Sequence, residues 1–382
     1  MEQRINVKQR NIGFYTFFIS GIGAISSGIV VSMLQEQIGF AYAITGTLLS
    51  LMSIGNLIAG FATGILPGFI GRKNAVLLLT AGYGVGYLAM ASFSQVPILM
   101  AAFFLAGIGK GCTINTCTIL VGDNSKNRIV GMNFLHSFYA FGALLCPFLI
   151  VQASRLAPRA AMVVLGVCGV SMWLAFASVD MSDGNRSKKQ KTDWSFLHEQ
   201  KFWLLTALLF FQNATETSVI GWLVTYFKGS GILTGTYSTY TVTVTWFATL
   251  IIRLLIAFVF PVKDAGTAMI KMGIGCTVFY AGLMCVSSQW PAIILLFAFA
   301  AAMAGMNPTA VASAGRMTSA ASMGIMLPAA SSGAIIMPWI IGIVAERFGI
   351  RAGMACIIIP CIGMLLVSMA VRYVENKTEF NA

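Results

Sequence analysis

The chain has 382 residues, of which 58% are hydrophobic and only 9% charged, and its mean hydropathy is +0.84. A soluble domain carries about 25% charged residues, so a soluble globular enzyme, a nucleic-acid-binding domain and a disordered chain are excluded. What remains is an all-α polytopic membrane protein, in which the 24 Lys and Arg against 12 Asp and Glu must be read by position rather than as an attraction for polyanions.

A bilayer-spanning helix takes about 20 predominantly apolar residues. In chain order the apolar runs predict twelve spans, near 12–33, 43–66, 74–94, 97–121, 131–153, 159–179, 202–226, 237–260, 267–287, 290–313, 318–345 and 352–372. Their long runs lack the period-two alternation of a membrane β-barrel. Span 1 has no small-residue cleavage site and outruns the apolar stretch of a signal sequence, so it is read as a retained helix. Spans 2, 3 and 4 carry Gly60–Gly64, Gly82–Gly86 and Gly107–Gly111, small pairs expected to let helices approach closely. The eight cysteines lie in apolar segments with no CxxC or Cys/His cluster. They read as packing residues, with no metal, cofactor or disulfide framework expected.

Residues 180–201 are the only long polar segment. They divide the chain into an N-terminal six-helix bundle over 1–179, this central loop, and a C-terminal six-helix bundle over 202–382. Seventeen Lys and Arg, among them Arg72, Lys73 and Arg316, fall on the side of the termini and the central loop, and five on the other. The positive-inside rule therefore places both termini and that loop in the cytoplasm, and the protein in the cytoplasmic membrane. The halves echo one another. Gly142 to Pro147 in span 5 and Gly333 to Pro338 in span 11 both read G-A-x-x-x-P, 191 residues apart, and Asn115 in span 4 is echoed by Asn307 in span 10. Two related bundles suggest rocking about a central site, as in secondary transporters, with Gly and Pro bending the gating helices.

Here the residues resemble the major facilitator superfamily. Gly64-Ile65-Leu66-Pro67-Gly68-Phe69-Ile70-Gly71-Arg72-Lys73 is similar to its G-x-x-x-D-R-x-G-R-R/K gating loop, with Gly68 and Phe69 at the Asp and first Arg positions. The fucose-permease-like branch is closer still. Asn133 to Ala143, Glu216 with Gly221 to Tyr226, Trp246 to Leu254 and Gly333 to Pro338 carry that resemblance. It implies a twelve-helix fold and sugar import coupled to protons or sodium. The acids that proton-coupled fucose permeases carry in helices 1 and 4 have no counterpart: span 1 has no acid, and span 4 offers Lys110.

Charged side chains deep in a span cost about 2.5–3.5 kcal/mol and mark function by default. Glu216, near the middle of span 7, is the candidate proton carrier. Lys110, near the middle of span 4, suits a carboxylate or phosphate on the substrate, or pairs with Glu216. Arg253 suggests gating or structural pairing, since a guanidinium forks to carboxylates and helix carbonyls. His136 offers a proton relay or a structural hydrogen bond, whereas His198 in the central loop reads as solvated. Gln212, Asn213, Trp222, Trp246, Asn115 and Asn307, with Asn133 and Tyr139 beside them, supply amides and aromatic faces for a polar ligand. Gln212 and Glu216 share a helix face.

These features predict a monomeric secondary transporter that moves a sugar, sugar derivative or organic anion across the bilayer by alternating access, coupled to protons, or failing that to sodium. An efflux antiporter for amphipathic compounds is the rival. An integral membrane enzyme is the weaker one, since no Ser/His/Asp set or acidic metal motif occurs.

Overall fold

The computed structural model describes residues 6–126, 128–181, 195–233, 235–260, 262–314 and 320–380. They form helices α1 (Val7–Ile38), α2 (Tyr42–Ile65), α3 (Pro67–Ile70), α4 (Arg72–Ser92), α5 (Val96–Asp123), α6 (Arg128–Ser154), α7 (Ala160–Ala177), α8 (Gln200–Gly229), α9 (Thr236–Phe258), α10 (Ala265–Cys285), α11 (Gln289–Met303), α12 (Met306–Ser313), α13 (Ala320–Ser331), α14 (Gly333–Phe348), α15 (Ile350–Ala355) and α16 (Ile358–Phe380). A 3-10 turn covers Ser195–His198. The long helices start and stop where the chain allows it. The Asn6 side chain accepts the Gln9 N–H at the start of α1, and Gly39, at φ 79°, ends it in the left-handed conformation that glycine adopts most readily. Helix α1 thus outruns the expected 12–33 at both ends.

Eleven helical stretches among the described residues are long and apolar enough to cross a membrane. The expected span 202–226 is not among them. Helix α8 has the length, 30 residues, but Thr206, Gln212, Asn213, Thr215, Glu216 and Thr217 dilute its apolar run. Such a helix must hide its polar middle inside protein, and Gln212, Thr215 and Ser218 are buried. Three expected spans come in two pieces: α11 with α12, α13 with α14, and α15 with α16.

The chain divides into two compact units: Met1–Phe40 with Thr47–Lys188, and Ala41–Gly46 with Lys189–Ala382. In the first, α1 packs on α5, α6 and α7, and α4 on α5 and α7. Tyr83, Tyr87, Phe103 and Phe176 fill its core, and the Tyr87 hydroxyl donates to the Gly23 carbonyl at 2.8 Å. In the second, α8 is the hub, packed on α12, α13, α14 and α16. Trp222, Tyr226, Phe227, Tyr280 and Phe299 are wholly buried there, with the Tyr280 hydroxyl donating to the Met354 carbonyl at 2.9 Å.

The G-A-x-x-x-P echo has a physical counterpart. A Cβ on Gly142 would collide with the Phe18 carbonyl oxygen of α1, and one on Gly333 with the Phe210 carbonyl oxygen of α8. Each glycine thus lets its helix touch backbone with the first long helix of its own unit. Pro147 and Pro338 both lie inside their helices. Gly82–Gly86 and Gly107–Gly111 also sit against neighbouring backbone, but Gly60 and Gly64 do not: nothing lies within 4 Å of a Cβ built on either. The close approach expected there is corrected to open space beside α2.

Candidate functional site

The second unit collects three of the expected polar side chains. Gln212 and Glu216, one turn apart on α8, are joined by a short hydrogen bond from the Gln212 amide nitrogen to the Glu216 carboxylate. The amide oxygen of Gln212 accepts from Asn307 Nδ2 at 3.1 Å. Gln212 is only 2% exposed, while Glu216 and Asn307 are half-buried. With its oxygen taken by Asn307, the Gln212 carboxamide presents its donor end to the carboxyl group.

Asn307 reaches α8 because the expected span 290–313 is broken. Pro308 has no N–H, so the Ala304 carbonyl has no helical donor four residues on, and Gly305 beside it favours the bend. The chain leaves α11 at Ala304 and restarts at Met306, which puts Asn307 in the first turn of α12. Arg253 of α9 takes up the vacated acceptor, donating from Nε to the Ala304 carbonyl at 3.2 Å. Its side chain is otherwise exposed. Arg253 therefore ties α9 to the break. The pairing of Gly305 with Pro308 was the available sequence signal for it.

The remaining candidates scatter. Trp222 is wholly buried and donates Nε1 to the Pro338 carbonyl at 3.2 Å. That bond ties α8 to α14. Trp246 is buried at 7% exposure. Asn213 is half-buried on α8 beside Gln212. Lys110 is half-buried midway along α5, and His136 is exposed on α6, its ring edge-on to Phe17 at 5.7 Å. Asn115 donates Nδ2 to Thr63 Oγ1 at 3.0 Å and borders a cleft of about 290 Å³ that Arg72 also lines. Lys73 is half-buried in the first turn of α4. Arg316 and the Asn133 side chain lie outside the described residues.

A family model described as the Major Facilitator Superfamily matches residues 13–287. The probable sulfoacetate transporter SauU of Cupriavidus necator is 23% identical over 254 residues, which are 60% of this chain and 59% of that one. The 4-hydroxybenzoate transporter PcaK of Pseudomonas aeruginosa is 26% identical over 128 residues, 34% of this chain and 29% of that one. The matches thus span less than two thirds of either relative. Among solved structures, the nucleoside transporter NupG superposes with a TM-score of 0.75 at 12% identity, covering 98% of this chain and 99% of that one, a likeness of fold alone.

Proposed function

The chain belongs to the major facilitator superfamily, and from that premise we propose that it carries a small organic anion across the cytoplasmic membrane by alternating access, with proton coupling at Glu216. The observation that carries the reading is the hydrogen-bonded line Asn307–Gln212–Glu216. It fixes a carboxyl within the polar middle of α8, and an ionisable group deep in a membrane-spanning helix marks function by default. Substrate and proton shift the conformational equilibrium by binding one state better than the other. Protonation of Glu216 removes a charge that would otherwise be costly to move through an apolar setting.

Lys110, at the middle of α5, supplies the complementary positive charge for the substrate. It favours a carboxylate or sulfonate over a neutral sugar, and sulfoacetate and 4-hydroxybenzoate, the solutes named for two relatives, are such anions. The Lys/Arg count supports cytoplasmic termini.

Uptake of labelled sulfoacetate, 4-hydroxybenzoate and fucose into proteoliposomes, under an imposed proton or sodium gradient, tests this. One of the two anions should accumulate with the proton gradient, and Glu216→Gln and Lys110→Gln should each lower that uptake about tenfold or more. Accumulation of fucose alone would overturn the anion reading. Unchanged uptake and pH dependence in Glu216→Gln would remove the carrier role, and sodium-driven uptake would replace the coupling ion.

A further inference from the structure

The first unit holds a second cationic feature, separate from Lys110. Between α2, α4 and α5 lies the cleft of about 290 Å³, lined by Gly60, Thr63, Gly64, Arg72, Asn115 and Thr116 among others. That volume is at the small end of ligand sites, about 300–1,000 Å³. Gly60 and Gly64 leave its wall open.

Three observations give the cleft its charge preference. Arg72 Nη2 is buried and has no hydrogen-bond partner among the described residues; a desolvated guanidinium nitrogen in that condition is costly. Arg72 is the first residue of α4 and lines the cleft with Ala75 and Val76; the helix cap, Gly71, supplies no side chain and the first turn holds no acid, so the positive end of this helix has no acid of its own. No Asp or Glu occurs from Gly60 to Val76 or from Ile108 to Ile119, the stretches that build the walls. Asn115 and Thr63 add polar groups.

The second unit shows the opposite solution. At the equivalent helix start, α10 is capped by Asp264, whose carboxylate also pairs with Arg372 at 3.1 Å. There the chain supplies the anion next to the arginine; at Arg72 it does not.

We propose that the Arg72 cleft binds an ionised phosphate group, with Arg72 and the start of α4 as its positive partners and Asn115 and Thr63 as its polar wall. A guanidinium fork matches phosphate oxygens, and helix N-termini hold phosphates through their free N–H groups. The group comes either from an anionic phospholipid or from free phosphate. Ile119 lines the cleft, and Phe61 and Ile65, next in sequence to the lining residues Gly60 and Gly64, are exposed; these apolar side chains suit acyl chains, which favours the lipid.

Thermal unfolding of the purified full chain in detergent decides the matter, with added phosphatidylglycerol, phosphatidylcholine or inorganic phosphate at constant ionic strength. Phosphatidylglycerol should raise Tm by about 3 °C over phosphatidylcholine. Arg72→Gln should abolish most of that rise and Lys73→Gln should keep it. An Arg72-dependent rise with inorganic phosphate alone supports the site and makes the free ion its source. The proposal fails if neither phosphate source shifts Tm, if Arg72→Gln keeps the full shift, or if Lys73→Gln loses as much as Arg72→Gln, which would reduce the effect to a diffuse basic surface. Should Arg72→Gln not fold, Asn115→Leu fills the cleft without removing charge and should lose the same shift; retention of the full shift then overturns the site.

Discussion

Gly142 rests on Phe18 in the first unit as Gly333 rests on Phe210 in the second, contacts separated by about half the chain. Carried along the sequence, the 192-residue spacing of Phe18 and Phe210 sets Ser20 opposite Gln212, Ala24 opposite Glu216, Lys110 opposite Ala302, Asn115 opposite Asn307 and Thr116 opposite Pro308. The helix contacts repeat and the chemistry does not. Asn307 bonds Gln212, while Asn115 bonds Thr63. Glu216 has an acceptor's place in a polar line; Ala24 is 3% exposed in an apolar core. One substitution explains much of this. Thr116 keeps its N–H and α5 runs unbroken for 28 residues; Pro308 lacks one and follows Gly305, and there α11 stops and the restart carries Asn307 to α8.

Breaking α5 as its counterpart is broken should have the largest effect. Thr116→Pro, at a buried position, should cost about 3 kcal/mol or more, the usual penalty for proline inside a helix, read as lost folded yield and lowered Tm. The reverse change, Pro308→Ala, should leave Tm at or above that of the parent and lower transport severalfold, since Asn307 loses its orientation. Equal transport in Pro308→Ala would detach the break from function.

Next come the matched glycines. Gly142→Ala and Gly333→Ala each push a methyl into a carbonyl oxygen, an overpacking worth about 1–3 kcal/mol. Because the contacts match, thermal scans should show similar losses. A large loss at one and none at the other would reduce the repeat to a coincidence of spacing.

Glu216→Gln against Ala24→Ser is the functional form of the comparison. The first should lower anion uptake about tenfold, roughly 1.4 kcal/mol, and flatten its pH dependence; the second should leave both within about twofold. Proteoliposome uptake across a range of pH reads both. A loss at Ala24 equal to that at Glu216 would mean that any polarity change in these two helices is harmful.

The spans were legible because about 20 apolar residues in a row are hard to mistake, and α8 was legible despite its polar middle because its flanks were apolar. Gln212 and Glu216 could be placed together from their spacing; the half-length echo singled out Asn307 but not its bond to Gln212. The breaks at Ala304, Ser332 and Cys356 were not foreseen. A hydropathy run averages across such interruptions, and the absent N–H of Pro308, read together with Gly305 and the Ala304 carbonyl four residues earlier, accounts for the break at the first. Gly60 and Gly64 were misread for the opposite reason. A small pair permits contact but does not supply the partner helix. Trp222 has the same aromatic face in a ligand site or a core, so its burial and its bond to Pro338 could not be read from the sequence.

The smallest effect lies at the helix starts that separate the units' handling of charge. Asp264 accepts from the Thr267 hydroxyl at 2.7 Å and from the Thr267 N–H at 3.3 Å. The hydroxyl bond, then the N–H, and further down the Arg372 charge, hold its carboxyl below the ordinary 3.8. A carboxyl lowered on folding stabilises the folded state above its unfolded value, and that contribution fades as the pH falls through the folded value. The Tm difference between the parent and Asp264→Asn should therefore be present at neutral pH and shrink only in acid below 3.8. The group is exposed, so the difference should be small and weaken with salt. Asn6, which caps α1 from Gln9 N–H with a neutral side chain, is the control: Asn6→Ala should lower Tm by an amount that does not change over the same range. If both caps lose their contribution together in acid, the charge on Asp264 is not what distinguishes this helix start from the uncapped one at Gly71.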